Sequence, residues 1–356
     1  ARTLVRRAAR GFGSDNRAAR ARCIVAEAEI ALAARDLTWR PQALDTARTT
    51  LEAHHDWINA AHARLLAARR LLLIGHVDEA EQILDALDAT ALAPAHQAIR
   101  ELAAAGIAMR RIRARMARAA LTRAAQAATR AGIPALVAEV DHAFRVLDTP
   151  AARLIAGGRQ QPVLLEEVET ILASTALIVD ACRYVVQAEH TQVRLAGRPL
   201  LLTLAQALAE AWPDDVPREA LIRRAFCAKA VNESHRARLR VEIGRLRAEL
   251  RPLAGVNATD QGFVLAPRHA REVVVLAHPV AEKHAAVLAL LADGETWSSS
   301  ALALALGVSQ RTVQRALETL AEAGKVDSFG RGRARRWITS PVPGFTTTLL
   351  LPAPPL

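Results

Sequence analysis

Asn232–Phe263 reads NESHRARLRVEIGRLRAELRPLAGVNATDQGF, and the fold of the chain is decided there. Leu239, Ile243, Leu246 and Leu250 recur at helical spacing and make one apolar stripe. On the same wheel Ser234, Ala237, Arg238, Val241, Gly244, Arg245 and Ala248 fall on the opposite side. That side mixes small residues, which permit close approach of another surface, with arginines, whose planar forks suit phosphates and guanine edges. Pro252 ends the helix, because proline lacks the N–H and clashes with the turn before it. A strand over Val256–Thr259, a turn at Asp260–Gln261–Gly262 and a strand through Phe263–Leu265 follow. A helix followed by a hairpin predicts a recognition helix and its wing. Arg238, Val241, Arg245 and Arg247 are the candidate DNA contacts on it.

Residues 190–268 resemble the winged-helix effector domain of OmpR/PhoB-type bacterial regulators. The matching pieces are VRLAGRPLLLTLAQALAE, VPREALIRRAF, LRVEIGRLRAEL and the closing GFVLAP, in that order. The resemblance implies a winged helix over 188–268 that binds DNA, often in pairs. Two positions depart from the family pattern. Thr259 and Asp260 stand on the wing where the family often carries a basic residue. Cys227 stands where the family has a glycine after the second helix, and it is expected to be buried as a small apolar residue.

Downstream, residues 269–340 read as a second unit of the same kind. VVVLA inside Arg271–Ala277 is predicted as its first strand, and Glu282–Leu291 as a helix. Then comes SSSALALALGVSQRTVQRALETLAEAGKV, residues 298–326. Ser300 is the expected cap of a helix that buries Leu302 and Leu306. Gly307 makes the turn, and Ser309 caps a second helix with Val313, Leu317 and Leu320 inside. Arg311, Gln314, Arg315 and Glu318 are left facing outward. This is a helix-turn-helix pattern, similar to the DeoR-like winged helices of bacterial repressors. Val326–Ile338 is the expected wing, with GRGRARRW at its tip. There Gly330 and Gly332 permit a sharp turn, and Arg331, Arg333, Arg335 and Arg336 offer phosphate or minor-groove contacts.

Upstream the pattern is helix after helix. Residues 1–20 are basic and polar and read as a flexible arm; residues 21–187 read as an α-helical sensing or assembly domain. HARLLAARRLLLIGHVDEAEQILDAL, residues 62–87, resembles a tetratricopeptide-type hairpin. One helix ends at Gly75, Val77 packs the turn, and Ala80, Leu84 and Leu87 face back. Weaker copies surround Ala131–Leu147 and precede Trp39–Leu51. Such hairpins stack and leave a concave surface for a peptide, a partner or a small effector. Leu164–Gln187 reads as one long helix joining this domain to the winged helix. Residues 341–356 form a tail with one short apolar strand between prolines.

Composition agrees with a binding protein. The chain has 356 residues and a net charge of +11, which favours an acidic partner such as nucleic acid. The charge is densest over 181–270, where 14 basic residues stand against 9 acidic ones. Three scattered cysteines fit a reducing cytoplasm. No apolar run is long enough to span a bilayer, and the N-terminus lacks the apolar segment of a secretory signal. His54, His55, His62 and His76 cluster without a cysteine or carboxylate to complete a metal set. No phosphate-binding loop, Gly-x-Ser-x-Gly motif or paired acids point to an enzyme, and no cofactor is expected.

The fold class expected is mainly α: a helical repeat-like domain followed by two winged helix-turn-helix domains with small sheets. The function expected is sequence-specific regulation of transcription on double-stranded DNA, as a cytoplasmic homodimer, with an effector or protein partner at the helical domain. The helical N-terminal half carries no receiver-type aspartate pocket, which argues against phosphorelay control. The alternative, from another class, is a protein–protein adaptor that uses its winged helices as packing modules.

Overall fold

The computed structural model describes residues 1–12, 16–37, 39–88, 92–228, 230–279, 284–292 and 294–339. Fifteen α-helices and eleven strands lie among them, so the chain is mainly α with small sheets. It divides into two compact units, Ala1–Thr149 with Lys283–Leu356, and Pro150–Glu282. The proposed C-terminal strand falls outside the described residues.

The first unit starts with eight helices: α1 (Arg2–Gly11), α2 (Arg17–Ala33), α3 (Pro41–Ala53), α4 (Trp57–Leu73), α5 (Val77–Asp85), α6 (Pro94–Arg110), α7 (Ala114–Ala131) and α8 (Pro134–Leu147). The hairpin read at 62–87 forms. Leu65 and Ala68 of α4 share one buried cluster with Ala80, Leu84 and Leu87, and α6 adds Ala103 and Ile107. Gly75 takes the left-handed φ of 83° that its turn needs. Alanine dominates the next contact, where Ala98 of α6 meets Ala124, Ala127 and Ala128 of α7 and Leu136 and Val140 of α8. Small side chains let these helices approach closely. At Gly106 a Cβ would sit 2.5 Å from Cδ2 of Leu72, so only glycine fits that crossing without displacing the leucine.

Two expectations for this half are corrected. Residues 1–20 are not a flexible arm. Most of their first half is helix α1, which buries nothing and is held by charge: Arg2 bonds Glu27 at 3.0 Å and Asp36 at 2.6 Å, and Arg6 bonds Glu27 at 2.8 Å. The helical domain also does not run to residue 187. It stops at Leu147, and Pro150 opens a different unit.

That second unit contains β1 (Ala152–Ala156), β2 (Arg159–Val163), α9 (Leu165–Leu172), β3 (Leu177–Asp180), β4 (Val185–Ala188), β5 (Thr191–Arg194), α10 (Pro199–Ala211), β6 (Val216–Pro217), α11 (Arg218–Phe226), α12 (Glu233–Leu250), β7 (Ala254–Ala258), β8 (Gly262–Pro267) and β9 (Val273–Ala277). The long helix expected over Leu164–Gln187 is therefore one eight-residue helix and two strands. The apolar run at Leu177–Val179 is buried on both faces, so it carries no alternation that separates strand from helix. Asp180 enforces the turn after it by accepting the backbone N–H of Cys182 at 3.0 Å and of Arg183 at 2.9 Å.

VVVLA is a strand, as expected, but not of the second winged helix. It is β9, and it fills the centre of a six-stranded sheet in the order β2-β1-β9-β3-β4-β5, parallel to β3 and antiparallel to β1. The sheet shares one apolar core with α10, α11 and α12. Leu177, Val179, Val186 and Val275 meet Leu204, Leu208, Ile222 and Ile243 there. Residues 188–268 contribute β5, α10–α12 and the strands β6–β8 to this larger unit rather than forming a separate domain.

The remainder of the first unit is α13 (Ala285–Leu291), α14 (Ser299–Leu306), α15 (Gln310–Glu322), β10 (Asp327–Phe329), a 3-10 turn at Gly332–Ala334 and β11 (Arg336–Ile338). No helix among the described residues is long and apolar enough to cross a membrane.

Candidate nucleic-acid interface

Two helices present the features of a recognition helix, one in each unit. In the second unit α12 starts at Asn232, whose side chain accepts the backbone N–H of His235 at 2.9 Å. Leu239, Ile243, Leu246 and Leu250 are all at most 2% exposed, and each contributes about 1.5–3 kcal/mol of burial. The opposite face is open. Arg238, Gly244 and Arg245 are exposed, and Val241 is 54% exposed. A Cβ placed on Gly244 would meet nothing within 4 Å.

The arginines of α12 differ in how far they are free. The Arg238 guanidinium stacks over Phe226 at 4.6 Å, which aims it without neutralising it. Arg245 lies 3.0 Å from Glu242, a carboxylate that is only 8% exposed. Arg240 is paired with Glu233 at 2.9 Å. Arg247 turns away from the open face: its Nε donates to the carbonyl of Val256 at 2.7 Å, and its guanidinium lies over Phe263. It clamps helix to wing, so its predicted role as a DNA contact competes with a structural one.

The hairpin β7–β8 follows α12 where the sequence leads one to expect a wing, in the register Val256↔Leu265 and Ala258↔Phe263. Arg218, at the start of α11, donates to the carbonyls of Asp260 and Thr259, each at 2.8 Å, and so stiffens the wing tip. Arg218 was not among the residues singled out from the sequence. It sits about forty residues from the tip, and nothing local marks it. Gly262 is obligatory, since a Cβ there would fall 1.8 Å from the carbonyl oxygen of Val216.

Cys227 corrects another expectation. It is exposed rather than buried, and it ends α11 in the left-handed conformation, φ 51° and ψ 32°. A glycine reaches that conformation without the steric penalty a Cβ brings.

In the first unit, α14 and α15 are joined by Gly307 at φ 64°. The cap of α14 is Ser298, not Ser300: Oγ of Ser298 accepts the N–H of Ala301 at 3.1 Å, and Ser300 lies inside the helix and bonds to Ser298. Ser309 caps α15 as expected, accepting from the Thr312 N–H at 3.2 Å. Gln310 donates across the turn to Ser299 at 3.0 Å. Val313, Leu317 and Leu320 are at most 1% exposed, while Arg311, Gln314, Arg315 and Glu318 face outward. Among the described residues no hydrogen bond or ion pair engages the side chains of Arg311, Gln314 or Arg315; the Thr319 hydroxyl donates only to the Arg315 backbone carbonyl, at 3.0 Å. The hydrogen-bonding groups of these three side chains are left for another molecule.

The hairpin β10–β11 follows α15 in the place expected for a second wing, with Ser328 opposite Trp337, and Trp297 adds a backbone bridge to Trp337 at 2.9 and 2.8 Å. Gly330 closes the turn with φ 77°, where a Cβ would meet the Ala334 carbonyl oxygen at 2.6 Å. The four wing arginines are not equivalent. Arg335 is flattened on Trp337 at 4.2 Å and donates to Ser328 Oγ at 3.0 Å, so it braces the hairpin. Arg331 is exposed, and Arg336 is half-buried. The Arg333 side chain falls outside what the structure describes.

Comparison with known proteins bears on this second site. A family model described as an HTH domain matches residues 283–331, from the start of α13 to the wing tip. No curated protein and no solved structure matches the chain. Residues 283–331 carry a helix-turn-helix domain of the kind found in DNA-binding transcription regulators.

Proposed function

We propose that the chain is a sequence-specific transcription regulator that reads duplex DNA with two winged helices. One is the OmpR/PhoB-like arrangement around α12, the other the DeoR-like arrangement around α15. The observation that carries the proposal is α15. Within the matched helix-turn-helix, Arg311, Gln314 and Arg315 stand outward without partners, and an arginine-bearing wing follows. Arginine pairs with guanine and glutamine with adenine in the major groove, and the wing arginines suit phosphates. On α12, Arg238 and Val241 take the corresponding places, with Val241 apolar enough to touch a thymine methyl. The tetratricopeptide-like helices α2–α8 supply effector, partner or dimer contacts. The protein is expected to sediment as a homodimer, and a monomer both free and on DNA contradicts that part alone.

The adaptor reading draws on α12. There Arg240 and Arg245 are neutralised by Glu233 and Glu242, and the wing tip carries Asp260 rather than a base. Binding to duplex DNA measured across a salt series separates the two readings. Each phosphate neutralised contributes a slope of about −0.9 in log affinity against log salt. A steep fall supports DNA recognition. No binding at low salt removes it and leaves the adaptor.

A further inference from the structure

Helices α3, α4 and α5 enclose a groove of about 700 Å³ within the first unit, of the size that holds a small organic ligand. Its walls are largely apolar, with Leu44, Ala63, Leu71 and Ile83. The charges on it are mostly spent inside the protein. Arg48 is paired with Asp45 and with Glu52, each at 2.7 Å, and Arg64 with Glu52 at 2.8 Å. Glu79 is bonded to His76 Nδ1 at 2.6 Å.

Arg70 is different. It lines the groove, and no carboxylate among the described residues lies within ion-pair distance. Its guanidinium rests against Trp39, 5.2 Å from the ring centre, and a single long contact of 3.5 Å runs to the Leu37 carbonyl. Nε of Arg70 and Nε1 of Trp39 are both covered by protein and both lack an acceptor. Two neighbouring donors with no acceptor are costly, because each has given up water for nothing. Burial also lowers the pKa of Arg70, the effect that a bound anion reverses. With Nε closed off by protein, what the groove can supply is a counter-charge to the rest of the guanidinium, beside an apolar cavity.

We infer that this groove binds a small monocarboxylate with an apolar body, its carboxylate on the Arg70 guanidinium beside Trp39. The assignment rests on reading the helical array as the effector-binding part of the regulator. One uncompensated guanidinium matches one carboxylate charge, whereas a phosphate dianion brings two and has no apolar body to fill the groove. The planar fork of arginine takes a carboxylate through two parallel hydrogen bonds.

The test uses the full chain without DNA, so that its outcome is independent of the DNA reading. The chain has five tryptophans, and the Trp39 indole N–H resonance is identified by its loss in Trp39→Phe. The protein is titrated with decanoate, with decanol and with inorganic phosphate. Decanoate is expected to move the Trp39 indole resonance saturably, and decanol and phosphate are not. Arg70→Gln is expected to weaken decanoate about tenfold or more, the scale of a lost charge-assisted pair. Arg70→Lys, which keeps the charge but not the fork, should fall between. No response to decanoate overturns the inference. So do equal responses to decanoate and decanol, a phosphate response matching that of decanoate, or unchanged binding in Arg70→Gln. Loss of decanoate binding with DNA binding intact separates this site from the winged helices.

Discussion

Gly244→Glu separates stability from binding on the α12 face. In the free protein the position is open, with nothing within 4 Å of an added Cβ, so the larger side chain displaces nothing. Glycine inside a helix is about 0.5–1 kcal/mol worse than a straight-chain residue, and a glutamate there recovers most of that. Arg240 at i−4 and Arg247 at i+3 add about 0.2–0.5 kcal/mol each at most, less whatever their existing bonds withhold. The second unit should therefore gain roughly 0.5–1 kcal/mol, seen as a rise of a few degrees in its melting transition. On DNA the effect reverses. Gly244 lies on the same open face as Val241 and Arg245, and a carboxylate there meets phosphates and base edges. A loss of about 1–3 kcal/mol, tenfold or more in affinity, is expected. Calorimetry on the free protein and fluorescence anisotropy on a labelled duplex read the two effects. Higher stability with unchanged affinity would refute the placement of this face against DNA. Lower stability would refute the open environment on which the argument is built.

Three further substitutions test neighbouring parts of the structure. Glu242→Gln removes the buried carboxylate that holds Arg245, so DNA binding should tighten and the salt slope steepen by about one phosphate contact; an unchanged slope contradicts a latent role for Arg245. Cys227→Gly relieves a left-handed cysteine and should stabilise the second unit by about 1 kcal/mol in urea denaturation, with a lower midpoint counting against that backbone account. Gly262→Ala drives a methyl into the Val216 carbonyl, so the β6–β8 pairing must open; a cost of about 1–3 kcal/mol or more is expected, and a melting transition like that of the wild type would show that the strands are not so close.

Both candidate recognition helices were readable from residue order because each buries one stripe and leaves the other face largely polar. Val313, Leu317 and Leu320 on α15, and Leu239, Ile243, Leu246 and Leu250 on α12, repeat at helical spacing, and Ser309 marks a helix start chemically. The sheet of the second unit was not readable in the same way. Leu177–Val179 and Val273–Ala277 are buried on both faces, so their apolar runs lack the alternation that identifies a half-exposed strand. Nothing local reveals that β9 inserts between β1 and β3, since Val275 pairs with residues about one hundred positions away. Charge contacts were equally hidden. Helix α1 is tied down by acids on and after α2, and a reading by polarity alone turned it into an arm. Among the candidate site residues, sequence pattern located the exposed Arg238, Val241, Arg311, Gln314 and Arg315. It could not tell them from Arg247 and Arg335, whose guanidinium groups are spent on bracing the wings, because that difference depends on the backbone carbonyl and the aromatic ring each one meets.

The central claim is that α15 reads base sequence while its wing anchors the domain. Selection from a randomised duplex library tests it most directly, run on three proteins: wild type, Arg311→Ala with Gln314→Ala, and the wing variant with Arg331, Arg333, Arg335 and Arg336 all changed to alanine. The account predicts that the helix variant selects different sequences. The wing variant should select the wild-type sequence with weaker affinity and a flatter salt slope, about one unit per lost phosphate contact. Because Arg335 braces the hairpin, this variant should also melt lower. Loss of an A·T preference in the wing variant with little general weakening would contradict anchoring and place a wing arginine in a narrow minor groove. Unchanged selection and affinity in both variants would contradict the claim itself, and leave this helix-turn-helix as a surface for protein rather than DNA.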